Sequence, residues 1–113
     1  MPIQTKKLFL FFLPLSDNEG NTFPEIEFAN VVVDIRRQFG GLTWMRPTHE
    51  VALLGEWVEA VTRAIYRDKL IAYFVVADAT SEAEAFFSEY KSNLMDRFHQ
   101  KDIFMLSFLV DIY

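Results

Sequence analysis

The sequence contains no cysteine and only two histidines. The absence of thiols excludes disulfides, thiolate nucleophiles and thiolate metal sites. His49 and His99 form no paired-histidine motif, and the acidic segment 17–21 lacks the downstream glutamate of a calcium-binding loop. We therefore expect neither a metal nor a cofactor.

An excess of basic residues and a long apolar run are also missing. The net charge of −5 opposes long-range attraction to nucleic acids and anionic membranes. No apolar run approaches the roughly eighteen residues that span a bilayer. Lys6 and Lys7 before residues 8–15 have the outline of a secretion signal, but an acidic loop follows without a small-residue cleavage site. We expect a soluble, cytoplasmic protein that binds neither nucleic acid nor membrane.

What the chain does have is a large share of apolar residues. Hydrophobic residues make up 51% of its 113 positions, and twelve of them are phenylalanine. A chain of this length and composition can bury a substantial core without cross-links. We expect a single domain over residues 1–113.

The order of the apolar blocks predicts the fold. Strand-like blocks cover residues 7–15, 42–46, 70–77 and 103–113, and helix-like blocks cover 23–39 and 82–99. This order is that of an α+β, ferredoxin-like βαββαβ sandwich, an antiparallel sheet with two helices on one face. Thr22 with Glu25, and Ser81 with Glu84, have the spacing of capping boxes at the helix starts.

The predicted strands are apolar on both faces. In the first strand, Leu8, Leu10 and Phe12 alternate with the equally apolar Phe9 and Phe11. Two helices cover only one face, so the other would expose a patch larger than soluble monomers usually tolerate. We expect a second copy to cover it in a homodimer. The alternatives are segment 47–68 folding back and a bound apolar ligand.

Segment 47–68 has two interpretations. The spacing of Val51, Leu54 and Val58 suits a helix, whereas Gly55 and the β-branched residues suit a hairpin arm. We favour the extended arm and keep the helix as the alternative.

Three short motifs support a family resemblance over residues 40–77. They are Gly40-Gly41-Leu42-Thr43, Gly55-Glu56-Trp57 and Tyr66-Arg67-Asp68 before an apolar strand. The chain resembles small uncharacterised bacterial proteins of ferredoxin-like or dimeric α/β-barrel type. The resemblance implies the same fold and a long hairpin between the second and third strands. It implies no activity and no catalytic residue.

Aromatic and ionisable residues cluster in the middle of the chain. This mixture is typical both of ligand pockets and of protein interfaces. The candidate ligand or interface residues are Trp44, Arg46, His49, Glu56, Trp57, Tyr66, Arg67 and Asp68.

Two functions follow from these residues. We favour a non-catalytic homodimeric binding or interaction module, in which the cluster forms the rim of the dimer interface or binds a protein partner. The alternative is a small enzyme or small-molecule binder with a pocket between the sheet and segment 47–68. In that alternative Arg46 or Arg67 holds a small anionic ligand. No motif assigns a catalytic residue; His49 is the candidate, as a general base, and is otherwise a loop histidine.

Overall fold

The computed structural model describes residues 3–113 and has two helices and five strands within them. In chain order the elements are β1 (Gln4–Pro14), α1 (Glu25–Phe39), β2 (Thr43–Trp44), β3 (Leu53–Val58), β4 (Ile65–Ala77), α2 (Ser81–Arg97) and β5 (Met105–Ile112). The sheet is antiparallel, so the predicted α+β, ferredoxin-like fold is confirmed. No helix in this part of the chain is long and apolar enough to cross a membrane.

The sheet is built around β1, which pairs with β4 on one side and β5 on the other. Both β2 and β3 pair with β4. Together they form one interrupted edge strand, broken at residues 45–52. Pro47 lies in this break, as expected for a residue that has no N–H to donate to a sheet. The predicted second strand is therefore shorter than residues 42–46.

The core lies between one face of the sheet and both helices. The Phe87 ring of α2 stacks on Phe9 of β1 at 4.0 Å and on Phe39 of α1 at 5.1 Å, centroid to centroid. Tyr73 of β4 stacks on Phe11 of β1 on the same side. Both helices thus cover one face, as predicted.

Helix α1 contains the β-branched run 31–33. Val31 is fully buried and Val32 nearly so. Burial against the sheet therefore outweighs the modest helix propensity of these residues.

Both predicted capping boxes are wrong. Helix α1 follows Pro24 and has no side-chain cap. Its first-turn residues Glu25 and Glu27 instead place negative charge near the exposed N–H groups. Helix α2 is capped one residue earlier than predicted, because the Thr80 hydroxyl accepts a hydrogen bond from the Ala83 N–H at 3.2 Å.

Segment 47–68 contains an extended arm, and the alternative of a helix is wrong. Strand β3 pairs with β4 from Leu53–Leu70 to Val58–Ile65. The Glu59 N–H donates to the Ala64 carbonyl at 2.9 Å and closes the turn. This β3–β4 hairpin, here called the arm, continues the sheet along the edge of β4 and does not fold back across it.

The sheet face opposite the helices carries a continuous set of apolar side chains. The register places Leu8 of β1 between Val76 and Phe108, and Leu10 between Phe74 and Leu106. We call this surface the open face. It consists of Leu8, Leu10, Phe12, Phe74, Val76, Leu106, Phe108 and Val110.

Candidate functional site

A cleft of about 990 Å³ lies between the sheet and the arm. Phe12 and Pro14 of β1, Leu70 of β4 and Phe104 give it an apolar floor, and the arm forms one wall. Residues 100–103, which precede β5, line it as well. We call it the arm cleft. Its volume is in the range of small-molecule sites.

Two aromatic pairs shape the arm cleft. Trp57 and Tyr66 are direct partners in the β3–β4 ladder, and their rings stack with centroids 6.1 Å apart and planes at 20°. Phe12 and Phe104 stack at 5.8 Å, and the Phe12 N–H donates to the Phe104 carbonyl. The Trp57–Tyr66 pair is half exposed, so it offers aromatic surface to a ligand.

Asp68 is the carboxylate that the arm cleft leaves without a partner. It lies opposite Gly55 in the ladder, on the same face as Tyr66 and Leu70. Partial burial raises the pKa of Asp68 above its ordinary value. Among the described residues, no side chain forms a salt bridge with it. This carboxylate is therefore free to bind a positively charged group.

The lining as a whole is acidic. Its charged residues are Glu56, Glu59, Asp68, Lys101 and Asp102. Arg67 Nε lies 2.6 Å from Glu56 Oε1, and Lys91 Nζ lies 3.0 Å from Asp102 Oδ1. Arg67 is thus already paired, and the arm cleft favours a cation over a small anion.

Gly55 lies where the arm meets the Leu70 side chain of the cleft floor. A Cβ atom at this position would lie 2.6 Å from Leu70 Cδ1, closer than two carbon atoms can pack. The glycine lets β3 approach the Leu70 side chain without displacing it.

Trp44 and Arg46 lie in a different place. They line a second cleft of about 530 Å³ between α1 and residues 44–48, together with Arg36. Within residues 3–113 neither arginine forms a salt bridge. Two guanidinium groups beside an indole can bind an anionic group.

His49 lines neither cleft. It is exposed, and its Nε2 lies 3.3 Å from the Thr22 hydroxyl. In the part of the chain that the structure describes, it forms no salt bridge with a carboxylate. The described residues therefore give His49 no carboxylate partner that would orient it as a general base.

The structure thus divides the predicted cluster. Glu56, Trp57, Tyr66 and Asp68 line the arm cleft, and Arg67 adjoins it through Glu56. Sequence reasoning missed the floor residues Phe12 and Phe104, which the β1–β5 pairing brings to the arm. Their one signal was that the strands are apolar on both faces.

The described residues contain no group of three or more histidine or acidic side chains close enough together to hold a metal ion. The arm cleft itself presents aromatic surface and carboxylates. Such a site can hold a cation, orient it and exclude part of the water around it.

Neither a family model nor a curated protein matches the sequence. In structure, the chain is similar to a phage SAM lyase that was solved in complex with S-methyl-5'-thioadenosine. The TM-score is 0.67 at 12% sequence identity, and the match covers 95% of this chain and 88% of that chain. The two chains share a fold. The likeness confirms the expected resemblance to small α+β proteins at the level of fold.

This comparison corrects the function that we favoured from the sequence. The expectation of a non-catalytic interaction module is wrong, because the same fold at nearly the same length is that of an enzyme with a small molecule bound. The comparison favours the alternative, a small enzyme or small-molecule binder.

Proposed function

We propose that the chain is a small cytoplasmic enzyme that binds S-adenosylmethionine in the arm cleft and cleaves it to S-methyl-5'-thioadenosine. The observation that carries this proposal is the unpartnered Asp68 carboxylate beside the stacked Trp57 and Tyr66 rings. The likeness in fold to a phage SAM lyase supports it.

The proposed substrate matches the cleft in two of its chemical parts. Its sulfonium is a cation with an apolar surround, which aromatic faces and a nearby carboxylate attract. Its adenine ring can stack on Trp57 or Tyr66 or pack against the Phe12–Phe104 floor.

The reaction changes the charge of the ligand. A carboxylate oxygen of the substrate's own amino-acid chain attacks the carbon bonded to sulfur, so a C–O bond forms as the C–S bond breaks. The amino-acid chain leaves as a lactone that keeps its ammonium charge, the electron pair of the broken bond stays on sulfur, and the sulfonium becomes a neutral thioether. Asp68 therefore stabilises the charged substrate more than the neutral product. In this account Asp68 contributes to substrate binding and to product release, and the orientation of the substrate by the cleft lowers the barrier.

The experiment that tests the proposal is turnover of S-adenosylmethionine by the purified full chain. S-methyl-5'-thioadenosine is measured by chromatography against a protein-free sample, because the substrate also decays by itself. We expect product above that background. Asp68→Asn should raise KM about tenfold and leave kcat unchanged or slightly higher, because the attraction to Asp68 weakens as the sulfonium loses its charge.

Asp96→Asn is the matched control. Asp96 is exposed on α2, so this variant removes the same charge on the other side of the sheet. It should leave KM and kcat unchanged. Binding without product would refute cleavage and leave a small-molecule binder, and the absence of both binding and product would overturn the proposal.

A further inference from the structure

The open face exposes large apolar side chains in the middle of the sheet. Phe74, Val76 and Phe108 are 39%, 46% and 47% exposed, although they occupy neighbouring positions around β1. No ionisable residue interrupts this central group in the register. Contiguous apolar surface of this kind marks a contact site in soluble proteins.

Neither the arm nor a ligand in the arm cleft covers the central part of the open face. The arm lies beside β4 as an extra part of the sheet, so it covers none of the central group. A ligand in the arm cleft would reach Phe12 and Phe104 at one end of the face, but Leu8 and Phe108 do not line that cleft.

We propose that a second copy of the chain covers the open face, sheet against sheet. Strand β1 pairs with each neighbour over eight residue positions. Three strands of that length span about 26 by 14 Å, which is a projected area on the order of 400 Å². Two such faces bury about twice this value, ~800 Å², which is below the ~1,200 Å² at which stable interfaces begin, so we expect a weak dimer whose population rises with concentration.

The apolar side chains of the open face also suit a dimer whose two copies are related by a twofold axis. An isologous contact requires a surface complementary to itself, and the leucine, valine and phenylalanine side chains of this face meet this condition. Lys6 lies at one end of the face, opposite Val110, and is paired with Asp78. Sheets that pack face to face bury such side chains between them. This inference does not depend on the ligand of the arm cleft.

The test is the mass of the full chain in solution, measured by light scattering after size exclusion from low micromolar concentration upward. The chain mass is 13.2 kDa, and we expect the measured mass to rise toward twice this value with concentration. Phe108→Glu should reduce the mass to 13.2 kDa by placing a charge in the interface, and Val76→Lys should do the same if Phe108→Glu fails to fold. Circular dichroism checks that each variant is folded.

Leu109→Glu is the matched control. Leu109 is adjacent to Phe108 in β5 and is more exposed, at 63%, but it points to the other face of the sheet. It should keep the mass of the unchanged chain. A larger assembly that Phe108→Glu dissociates would also support the open face as the interface. The proposal is overturned if the unchanged chain is a monomer at every concentration, or if folded Phe108→Glu and Val76→Lys keep the assembly.

Discussion

Two core tyrosines differ in what their hydroxyl groups contact. Tyr90 donates a hydrogen bond to Asp34 Oδ2 at 2.9 Å, whereas the buried Tyr73 hydroxyl has no partner among the described residues. An unsatisfied buried hydroxyl costs free energy, and a satisfied one contributes to stability.

We therefore expect opposite effects from the same substitution. Tyr73→Phe should raise the free energy of unfolding by about 1 kcal/mol, and Tyr90→Phe should lower it by about 1 kcal/mol. Urea unfolding of both variants measures this difference. Equal losses of stability would contradict the described environment of Tyr73.

The charged Asp68 carboxylate is expected to strengthen cation binding and to lower the stability of the folded chain. Its pKa is raised by burial, so the folded chain holds this proton more tightly than the unfolded chain does. The contribution of Asp68 to stability is therefore greatest when this carboxyl is protonated and is lost as the pH rises from its unfolded-state pKa through its raised folded-state pKa, so the full cost of the charge is present at neutral pH. Asp68→Asn should keep or increase stability at pH 7 while it weakens cation binding.

The same shift predicts how binding depends on pH. A cation binds to the charged carboxylate, so affinity should be constant near neutral pH and fall on acidification through the raised pKa of Asp68. Titration of S-adenosylmethionine between pH 4 and 7.5 at fixed ionic strength, within the range where circular dichroism shows a folded chain, measures this. A fall that persists in Asp68→Asn would assign the dependence to another group.

In helix α2, substitution can test directly which residue caps the N-terminus. The Thr80 hydroxyl caps the helix, whereas the Ser81 hydroxyl contacts only the exposed Glu82 side chain at 3.4 Å. Thr80→Ala should lower the free energy of unfolding by about 1 kcal/mol, and Ser81→Ala should change it by much less. Thermal unfolding of the pair checks the position of the cap, and a larger loss at Ser81 would contradict it.

The sequence predicts elements well where burial imposes a period. Strand β1 and helix α2 are buried along one side, and both are recognisable from their spacing. Strand β3 is exposed on both faces, so neither the helical nor the strand period is enforced there and the arm stayed open to two interpretations. The cap of α2 was misplaced because Thr80 and Ser81 are both residues that cap helices.

The candidate site was predictable only in part. Trp57, Tyr66 and Asp68 alternate along a hairpin, so local pairing is enough to place them on one face. Phe12 and Phe104 meet the arm through the β1–β5 register, which links residues more than ninety positions apart. Nothing in the spacing of a single sequence fixes such a register.

For the whole molecule, the two proposals predict opposite responses to salt. Each copy carries a net charge of −5, so copies repel one another and salt should leave the apolar self-association unchanged or strengthen it. Salt should weaken the attraction between the arm cleft and a cation. Sedimentation measures self-association and calorimetry measures cation binding, each at 50 and 500 mM sodium chloride. Self-association that weakens with salt would contradict an apolar interface.

The central claim is that the arm cleft recognises the positive charge of an adenosyl ligand through Asp68. Calorimetric titration of the full chain with S-adenosylmethionine and with neutral S-methyl-5'-thioadenosine tests it most directly. We predict at least tenfold tighter binding of the charged ligand, about 1.4 kcal/mol, and loss of that preference in Asp68→Asn but not in Asp96→Asn. Equal affinity for the two ligands, or a preference that survives in Asp68→Asn, would contradict the account.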